Sequence, residues 1–360
     1  MIASRIVTTA RLWFVLTAIL CLGFPASTTA QSASRSRSAT EATPKKTTTK
    51  KTTTRKTTAS SGTSRARRAR LARIRAEARA RALREAQEPR FKLDESGTLV
   101  PDVRAEAAII YDSESGQVLW ESNSQNQRSI ASITKVMTAV VFLEDSPDLS
   151  EEVVVQRSDV RQASTTYLKA GYKVTKNDLL HLALIASDNA AARALARVSS
   201  LGSDGFIPRM NSKAAELGLT STSYADPSGL LAANVSSAFD MARLITYVSG
   251  DERIAGVMQK QSHSITAGRR VITVHSTNQL VMNGDVDVQA GKTGFIRNAG
   301  YCLATLLRLP QGGPQVAVVV LGAKSNAGRF WETRHLFNWI ASKAEAVFGT
   351  PLQAATATAD

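Results

Sequence analysis

The apolar positions of the chain follow two different spacings after residue 100. Short runs of strand length stand near both ends of this part, and longer runs of helix length fill its middle. The predicted strands cover residues 107 to 111, 117 to 120, 152 to 155, 271 to 274, 288 to 296, 301 to 309 and 315 to 321. The predicted helices cover residues 132 to 143, 176 to 187, 189 to 198, 210 to 217, 238 to 247 and 326 to 348.

The order of these elements predicts the fold. Turn residues at 113 to 116 and at 310 to 314 join neighbouring strands into hairpins. Because strands occur at both ends and helices between them, we expect one antiparallel sheet of about five strands, completed from both ends and flanked by helices. The middle helices form an inserted helical lobe. The predicted class is α/β in the broad sense (α+β).

The residues before about 100 have a different composition. Residues 31 to 64 are mostly Ser, Thr, Lys and Ala, with too few large apolar groups to offset the entropy of ordering. Ala, Arg and Glu dominate residues 64 to 88, which predicts a solvated helix. We therefore expect a disordered or helical linker over residues 31 to 95, a folded domain over residues 100 to 349, and a disordered tail over residues 350 to 360.

The positive charge of the protein lies in this linker. The whole chain has a formal net charge of +15, and residues 31 to 92 contain 19 Lys and Arg against 4 Asp and Glu. One interpretation is a charged spacer, and another is electrostatic docking to an anionic polymer or phospholipid surface of the cell envelope. Nucleic acid fits the charge equally well, but residues 1 to 30 predict export, as described next, so no nucleic acid partner is expected.

The first 30 residues predict export. Arg5 and Arg11 precede an apolar run that ends in small residues, which is the order of a secretory signal peptide. The run is shorter than the roughly 20 residues that a membrane span needs. We therefore expect a secreted, periplasmic protein. After removal of residues 1 to 30, Cys302 would be the one cysteine left, and the fold would have no internal disulfide.

Candidate chemistry begins with Ser132 and Lys135, at the start of the first predicted helix after residue 100. Residues three apart share a helix face, so the lysine amine can reach the serine hydroxyl. A lysine takes the serine proton only if its pKa falls toward neutrality, which burial or a nearby cation can cause. Taken alone, this S-x-x-K pair favours an ordinary helix start with an incidental lysine.

Two further motifs change that interpretation. The S-D-N motif, residues 187 to 189, stands at the break between two predicted helices, where side chains can leave the core. We interpret its Asp188 as a structural residue of the turn. The K-T-G motif, residues 292 to 294, lies in a predicted strand. The glycines at 291 and 294 leave room for a substrate backbone to lie alongside that strand.

In order and spacing, S-x-x-K, S-D-N and K-T-G resemble the motifs of the penicillin-binding DD-peptidases and class A β-lactamases. The resemblance covers roughly residues 100 to 348. Residues 226 to 230, D-P-S-G-L, and residues 299 to 304 are similar to the low-molecular-mass D-alanyl-D-alanine carboxypeptidase family. Class A β-lactamases have an E-x-x-L-N loop after S-D-N, and residues 216 to 219, E-L-G-L, do not match it.

The resemblance implies a β-lactamase/DD-peptidase-like fold and a catalytic role for each motif. Ser132 would attack the carbonyl carbon of a D-Ala-D-Ala bond and form an acyl-enzyme. Lys135 would take the serine proton, kept neutral in part by the nearby Lys292 cation. Ser187 would relay the proton to the leaving amine, and Asn189 would hydrogen-bond the substrate amide.

The same resemblance implies the substrate-binding residues. Lys292 and Thr293 would bind the terminal carboxylate, and the strand at Gly294 would lie beside the substrate. The backbone N–H groups of Ser132 and Phe295 would form the oxyanion hole. Peptidoglycan peptides and β-lactam antibiotics are the implied ligands. No metal or other cofactor is expected, since the four histidines show no ligand spacing.

Two departures from the usual carboxypeptidase pattern bear on the substrate. Many members of the family place a Thr two residues after the K-T-G glycine, whereas this chain has Ile296 and then Arg297. The chain also ends soon after Phe348, with no room for the C-terminal β-domain and amphipathic anchor of a typical carboxypeptidase. Both features resemble the shorter endopeptidase branch, which cuts cross-links between D-Ala and diaminopimelate. Arg297 either binds a carboxylate near the scissile bond or is an ordinary solvated arginine.

The leading hypothesis is a serine-type D-alanyl-D-alanine carboxypeptidase or endopeptidase that trims or cuts peptidoglycan stem peptides. One alternative is a class A-like β-lactamase, which would turn penicillin over rapidly. Another is a non-catalytic wall-binding protein in which the basic linker makes the contacts. The complete set of motif residues argues against this last alternative.

Overall fold

A computed structural model describes residues 60 to 267 and 270 to 349 of the protein. The predicted signal peptide, the predicted linker up to residue 59 and the predicted tail from residue 350 lie outside the described residues. The helices are α1 (Ser60–Gln87), α2 (Thr134–Leu143), α3 (Arg157–Val160), α4 (Lys176–Ile185), α5 (Asn189–Val198), α6 (Gly202–Glu216), α7 (Ala238–Val248), α8 (Glu252–Met258), α9 (Gln279–Asn283), α10 (Asn326–Ala341) and α11 (Ala344–Phe348). The strands are β1 (Phe91–Leu93), β2 (Leu99–Pro101), β3 (Ala107–Asp112), β4 (Val118–Ser122), β5 (Arg128–Ser129), β6 (Glu152–Val154), β7 (Lys173–Thr175), β8 (Val235–Ser236), β9 (Ser262–Ala267), β10 (Arg270–His275), β11 (Asp287–Ile296), β12 (Gly300–Arg308) and β13 (Gln315–Ala323).

The central sheet has five strands in the order β11, β12, β13, β3, β4, and every pairing is antiparallel. This confirms the predicted sheet completed from both ends of the folded part. Strand β3 is apolar on successive positions because both faces of the sheet are covered, one by α7 and the other by α10. Ile109 accordingly belongs to the core shared with the helical lobe, and Ile110 to the core under α10.

The inserted lobe is built around α2. All ten residues of this helix are buried, and it packs against α4, α5, α6 and α7. Because other helices surround α2, its sequence is almost entirely apolar. The short strands β5 and β8 pair just before α2 and fix the path by which the chain enters the helix. Helix α2 is therefore held by the helices around it, and the segment before it by strand pairing.

Several local features differ from the sequence-based prediction. Strands β1 and β2 form a hairpin ahead of the first predicted strand, and the Phe91 ring packs edge-on against His335 at 5.0 Å between ring centroids. Strand β10 pairs with β9, which was not predicted, and both lie outside the central sheet. The predicted closing helix is interrupted by a turn at residues 342 and 343, between α10 and α11. These elements are short or exposed, so apolar periodicity marks them weakly.

Helix α1 was predicted over nearly the same residues, and its described side chains are exposed. Its ion pairs Arg73–Glu77 and Arg81–Glu85 connect neighbouring turns of the helix at the surface. Within the described residues, no helix combines the length and apolar character that crossing a membrane requires.

Candidate active site

Ser132 lies where a short 3-10 helix, Ala131–Ile133, runs into α2. Ala131 has a φ of 49°, a left-handed conformation that residues other than glycine rarely adopt. The backbones of two glycines pass so close to this turn that neither position has room for a side chain. A Cβ on Gly229 would lie 2.0 Å from the Ala131 carbonyl oxygen, and a Cβ on Gly294 would lie 3.2 Å from the Ser132 nitrogen. The close approach of both backbones holds Ala131 in this strained conformation and fixes the position of Ser132, which follows it.

The Lys135 amine is buried beneath this turn, with no exposed surface. Its Nζ donates to Ser132 Oγ at 3.0 Å, to Asn189 Oδ1 at 2.6 Å and to the Ser228 carbonyl oxygen at 2.5 Å. Three acceptors from different parts of the chain therefore fix the amine within reach of the serine hydroxyl. The predicted contact between Lys135 and Ser132 is confirmed.

The surroundings of the Lys135 amine lower its pKa and so favour its neutral form. Burial is the largest effect and lowers the pKa of Lys135 to about 7, assisted by the positive charge of Arg193. The negative charges of Asp188 and Asp226 act in the opposite direction and raise this pKa. At neutral pH a substantial fraction of Lys135 is therefore uncharged and able to accept a proton.

The carbonyl oxygen that binds Lys135 is positioned by Asp226. The Asp226 carboxylate accepts the backbone N–H groups of Ser228 at 2.6 Å and Gly229 at 2.8 Å, and the side-chain amide of Asn234 at 2.7 Å. From the sequence alone, the D-P-S-G-L segment is a point of resemblance to the family without a role of its own. Part of its role is to hold the Lys135 amine through the Ser228 backbone carbonyl, and a pattern of side chains cannot predict such a contact.

The S-D-N motif forms the connection between α4 and α5. Ser187 has a φ of 58°, the second left-handed residue of the site, and its Oγ accepts a hydrogen bond from Lys292 Nζ at 2.9 Å. The Asn189 side chain is engaged at both ends, since its Oδ1 accepts from Lys135 and its Nδ2 donates to the Ala163 carbonyl oxygen at 2.7 Å. In this structure Asn189 orients the Lys135 amine.

Asp188 is buried and caps the start of α5, where it accepts the Ala191 N–H at 2.9 Å. Its other oxygen accepts the Tyr167 N–H at 2.6 Å. Burial raises the pKa of this carboxyl, and the backbone N–H groups oppose that rise. Asp188 therefore ties the segment before α4 to the motif, which agrees with the structural role predicted for it.

Lys292 on β11 is as deeply buried as Lys135. Burial lowers the pKa of Lys292 well below its ordinary value, and the positive charges of Lys135 and Arg329 lower it further. The expectation from the sequence was that burial and, in part, the Lys292 cation keep Lys135 neutral. In the structure, burial is the larger cause for both amines, because each lies in a region that water does not reach.

The pocket above Ser132 has a volume of about 510 Å³. Seven of the nine predicted site residues line it: Ser132, Ser187, Asn189, Thr293, Gly294, Phe295 and Arg297. The other two are buried next to the pocket: Lys135 hydrogen-bonds to Ser132, and Lys292 hydrogen-bonds to Ser187. The structure thus brings all nine predicted residues together.

The outer rim of the pocket is formed by the end of β11. The Phe295 ring is half exposed and stacks on Tyr301 with 4.2 Å between ring centroids. Arg297 is exposed beside it. A substrate group at the mouth of the pocket would therefore meet an aromatic face and a positive charge.

Arg329 on α10 lines the same pocket and was missed by the sequence analysis. Its guanidinium donates to the carbonyl oxygens of Gly294 at 2.9 Å and Cys302 at 3.1 Å, and to Asn326 Oδ1 at 2.5 Å. Burial lowers the pKa of Arg329 to about 10, and its Nε has no hydrogen-bond partner among the described residues. These three acceptors are uncharged, so Arg329 adds positive charge to this end of the pocket. The one available signal was an arginine directly before the apolar pair Phe330 and Trp331 of the closing helix.

A buried amine is hydrogen-bonded to a serine that follows a left-handed residue, and a second lysine is hydrogen-bonded to a second serine of the same pocket. This arrangement defines a serine acyl-transfer hydrolase of the penicillin-binding type. The sequence profile of the D-alanyl-D-alanine carboxypeptidase family matches residues 94 to 325. The chain belongs to this family, and it is a serine-type D-Ala-D-Ala peptidase.

Individual relatives agree with this assignment. The D-alanyl-D-alanine endopeptidase of Escherichia coli is 32% identical over 244 residues, which cover 67% of this chain and 78% of the relative. A crystal structure of a Streptomyces DD-transpeptidase has a TM-score of 0.62 and 26% identity, and the match covers 66% of this chain and 97% of that one. A penicillin-binding protein of Listeria monocytogenes with bound cefotaxime has a TM-score of 0.59 and 28% identity, over 66% of this chain and 97% of that one. These likenesses confirm the predicted fold and the predicted class of enzyme.

Proposed function

We propose that Ser132 is the nucleophile and Lys135 its general base. The observation that carries this proposal is the 3.0 Å hydrogen bond between Lys135 Nζ and Ser132 Oγ, made by an amine whose pKa is lowered to about 7. The neutral amine takes the hydroxyl proton as Oγ bonds to the carbonyl carbon of the substrate. Asn189 and the Ser228 carbonyl hold the amine in place for this transfer.

The tetrahedral intermediate then loses its amine. The C–N bond breaks, and the leaving nitrogen takes a proton from the Ser187 hydroxyl, which Lys292 Nζ contacts at 2.9 Å. Ser187 regains the proton that Lys135 took from Ser132, so both groups return to their starting protonation states. The backbone N–H groups of Ser132 and Phe295 stabilise the oxyanion, a contribution typically worth about 3 to 4 kcal/mol of the barrier. Water then hydrolyses the acyl-enzyme and regenerates Ser132.

The carboxylate of the substrate binds at the end of the pocket that holds Thr293 and Arg329. Both residues line the pocket, and Arg329 brings a buried positive charge to it. A carboxylate there would also draw a proton onto Lys292, since a nearby negative charge favours the charged amine. Stem peptides and β-lactams, which both present a carboxylate, fit this arrangement.

We further propose that the preferred substrate is a peptide cross-link, so that the enzyme acts as an endopeptidase. The Escherichia coli relative with this activity in its name supports the assignment. Arg297 supports it too, because an exposed cation on the pocket rim suits the extra carboxylate of a diaminopimelate residue beyond the scissile bond.

The experiment that tests this function is digestion of two purified muropeptides, a D-Ala to diaminopimelate cross-linked dimer and a monomer ending in D-Ala-D-Ala. We expect the wild type to convert the dimer to monomers at least about 10 times faster than it releases D-Ala from the monomer. Ser132→Ala should cleave neither substrate. Ser129→Ala is the matched control, because its buried hydroxyl has no hydrogen-bond partner among the described residues.

Each other outcome has a definite meaning. Faster release of D-Ala from the monomer would replace the endopeptidase assignment with a carboxypeptidase. Rapid penicillin turnover without muropeptide cleavage would favour the β-lactamase alternative. Cleavage by Ser132→Ala would refute the proposed nucleophile.

We also propose that the basic segment docks the enzyme to an anionic envelope surface outside the cytoplasm. The supporting observation is α1, whose described arginine side chains are exposed along its length. Sedimentation with vesicles containing 30% anionic lipid tests this at about 50 and 300 mM NaCl. We expect binding at the lower salt concentration only, and its loss when the α1 arginines are changed to glutamine. Equal sedimentation of the wild type with neutral vesicles would contradict docking by charge.

A further inference from the structure

Thr277 lies outside the three motifs, in the connection between β10 and α9, and lines the pocket beside Thr293. Its Oγ1 is 2.6 Å from Thr293 Oγ1. Its backbone N–H donates to the Ile185 carbonyl oxygen at 3.1 Å. Because Ile185 is the last residue of α4 and Ser187 follows shortly after, Thr277 joins the S-D-N turn to the K-T-G strand.

The neighbour of Thr277 holds this connection in place. Asn278 caps α9, and its Oδ1 accepts the Leu280 N–H at 3.1 Å. Asn278 is buried against the strand that carries Thr293, since a Cβ on Gly291 would stand 2.7 Å from Asn278 Nδ2. The Thr277 hydroxyl is therefore presented to Thr293 from a packed backbone rather than from a free loop.

The number of protons on a hydroxyl decides which of the two threonines is the donor in the hydrogen bond between them. Each hydroxyl has one proton to donate and can accept two. If Thr293 gives its proton to a carboxylate in the pocket, it cannot donate to Thr277, and Thr277 must then donate to Thr293. The competing acceptor for Thr277 is the Ile185 carbonyl oxygen at 3.5 Å, which is a long and weak hydrogen bond.

We propose that Thr277 is a positioning residue for carboxylate recognition. It donates its proton to Thr293 Oγ1 and thereby directs the Thr293 proton into the pocket, toward the carboxylate of a stem peptide or a β-lactam. This inference rests on the proposed carboxylate-binding role of Thr293. It adds a residue to the site that none of the three motifs contains.

The test compares Thr277→Val, which keeps the shape and removes the hydroxyl, with Thr277→Ser, which restores the hydroxyl. Two reagents are used, benzylpenicillin with its free carboxylate and its methyl ester, and the second-order rate of acylation is measured for each. We expect Thr277→Val to lower the rate with the free acid about 10-fold and the rate with the ester less than 2-fold. Thr277→Ser should stay within about 2-fold of the wild type for both reagents.

A matched control and a second readout separate positioning from a structural role. Thr246→Val removes a buried hydroxyl that has no hydrogen-bond partner among the described residues, and it should change neither rate. With a peptide ending in D-Ala-D-Ala, Thr277→Val should raise KM about 10-fold and leave kcat within about 2-fold. If the valine variant does not fold, Thr277→Ala takes its place.

Equal losses with the acid and the ester would overturn the proposal, because they would show a general disturbance of the site. An unchanged rate with the free acid would overturn it too. Failure of the wild type to be acylated by benzylpenicillin would instead refute the underlying function. The two failures are therefore distinguishable.

Discussion

Lys292 Nζ donates a hydrogen bond to Ser187 Oγ at 2.9 Å, across 105 positions of the chain. Lys292 belongs to the central sheet, and Ser187 belongs to the inserted helical lobe. The contact therefore joins the two parts of the fold at the wall of the pocket. A site built in this way depends on the packing of the lobe against the sheet, as well as on the residues that touch the substrate.

The first prediction concerns the pH dependence of acylation. Burial lowers the pKa of Lys135 to about 7, so the base form is present above that pH and is lost as the pH falls. We expect the rate of Ser132 acylation by penicillin to fall about tenfold per pH unit below about 7 and to level off above it. Rates measured from pH 5 to 9 provide the check. A flat profile over this range would contradict the role of Lys135 as base.

The same profile identifies the titrating group when a variant is included. Lys135→Arg replaces the amine with a guanidinium that stays charged, and acylation should fall at least about 100-fold. Lys213→Arg is the matched control. Lys213 lies on α6, outside the active-site pocket, and forms ion pairs with Glu144 and Glu216. Its rates should match the wild type at every pH.

The second prediction concerns the backbone contact behind the nucleophile. A Cβ on Gly229 would stand 2.0 Å from the Ala131 carbonyl oxygen and 2.9 Å from the Ser132 nitrogen. Gly229→Ala should therefore displace Ser132 and lower the acylation rate about 100-fold, the size of effect expected for a shift of roughly 1 Å. Acylation kinetics of the purified variant measure this loss.

Gly171→Ala is the matched control for that substitution. Gly171 also has a left-handed backbone, with φ +87°, but a Cβ there would meet nothing within 4 Å. We expect this variant to lose about 1 kcal/mol of stability from backbone strain and to keep its acylation rate. If both alanine variants lost the rate equally, backbone strain would explain the effect and the contact with Ser132 would not.

Much of this architecture could be predicted because the signals are local. The apolar run of α2 and the short apolar runs of the sheet strands marked the core, and three short motifs marked the pocket. Thr277, the Ser228 carbonyl and Arg329 could not be found in this way, because they reach the pocket through tertiary packing and belong to no side-chain pattern. The left-handed conformation of Ala131 could not be predicted either, because alanine rarely adopts it. It depends on close contact with two glycines that are distant in the sequence.

The third prediction tests the rim of the pocket. Arg297→Gln removes the exposed positive charge beside Phe295 and should lower kcat/KM for the cross-linked dimer about 5- to 10-fold. Acylation by benzylpenicillin, which lacks the extra carboxylate that a diaminopimelate residue places beyond the scissile bond, should change less than 2-fold. Arg270→Gln on β10, outside the pocket, is the control. An unchanged rate with the dimer would show that Arg297 is an ordinary solvated arginine.

The fourth prediction rests on a buried histidine in α4. His181 Nδ1 contacts the Asn177 carbonyl oxygen at 2.9 Å, Nε2 contacts Lys260 Nζ at 3.0 Å, and the ring stacks on His263 at 4.1 Å between centroids. A carbonyl on one side and an ammonium on the other require the neutral ring with its proton on Nδ1. Burial lowers the pKa of His181 to about 4, and the positive charges of His263 and Lys260 lower it further, while Asn177 and Asp178 oppose the fall.

The consequence is a loss of stability in acid. Between pH 6.5 and 4 the unfolded chain binds a proton at His181 that the folded protein does not, so the free energy of unfolding decreases as the pH falls through this window. We expect a loss of roughly 1 to 2 kcal/mol between pH 7.5 and 5, measured by urea denaturation. His181→Gln should remove most of this dependence, and His275→Gln at an exposed position should not. An identical pH dependence for all three proteins would refute the assignment.

The most direct test of the catalytic assignment is to locate the covalent adduct. After incubation with benzylpenicillin, peptide mass spectrometry should find one penicilloyl group per molecule, attached to Ser132, and none in Ser132→Ala. An adduct on another residue of the wild type, or an undiminished adduct in Ser132→Ala, would contradict the account.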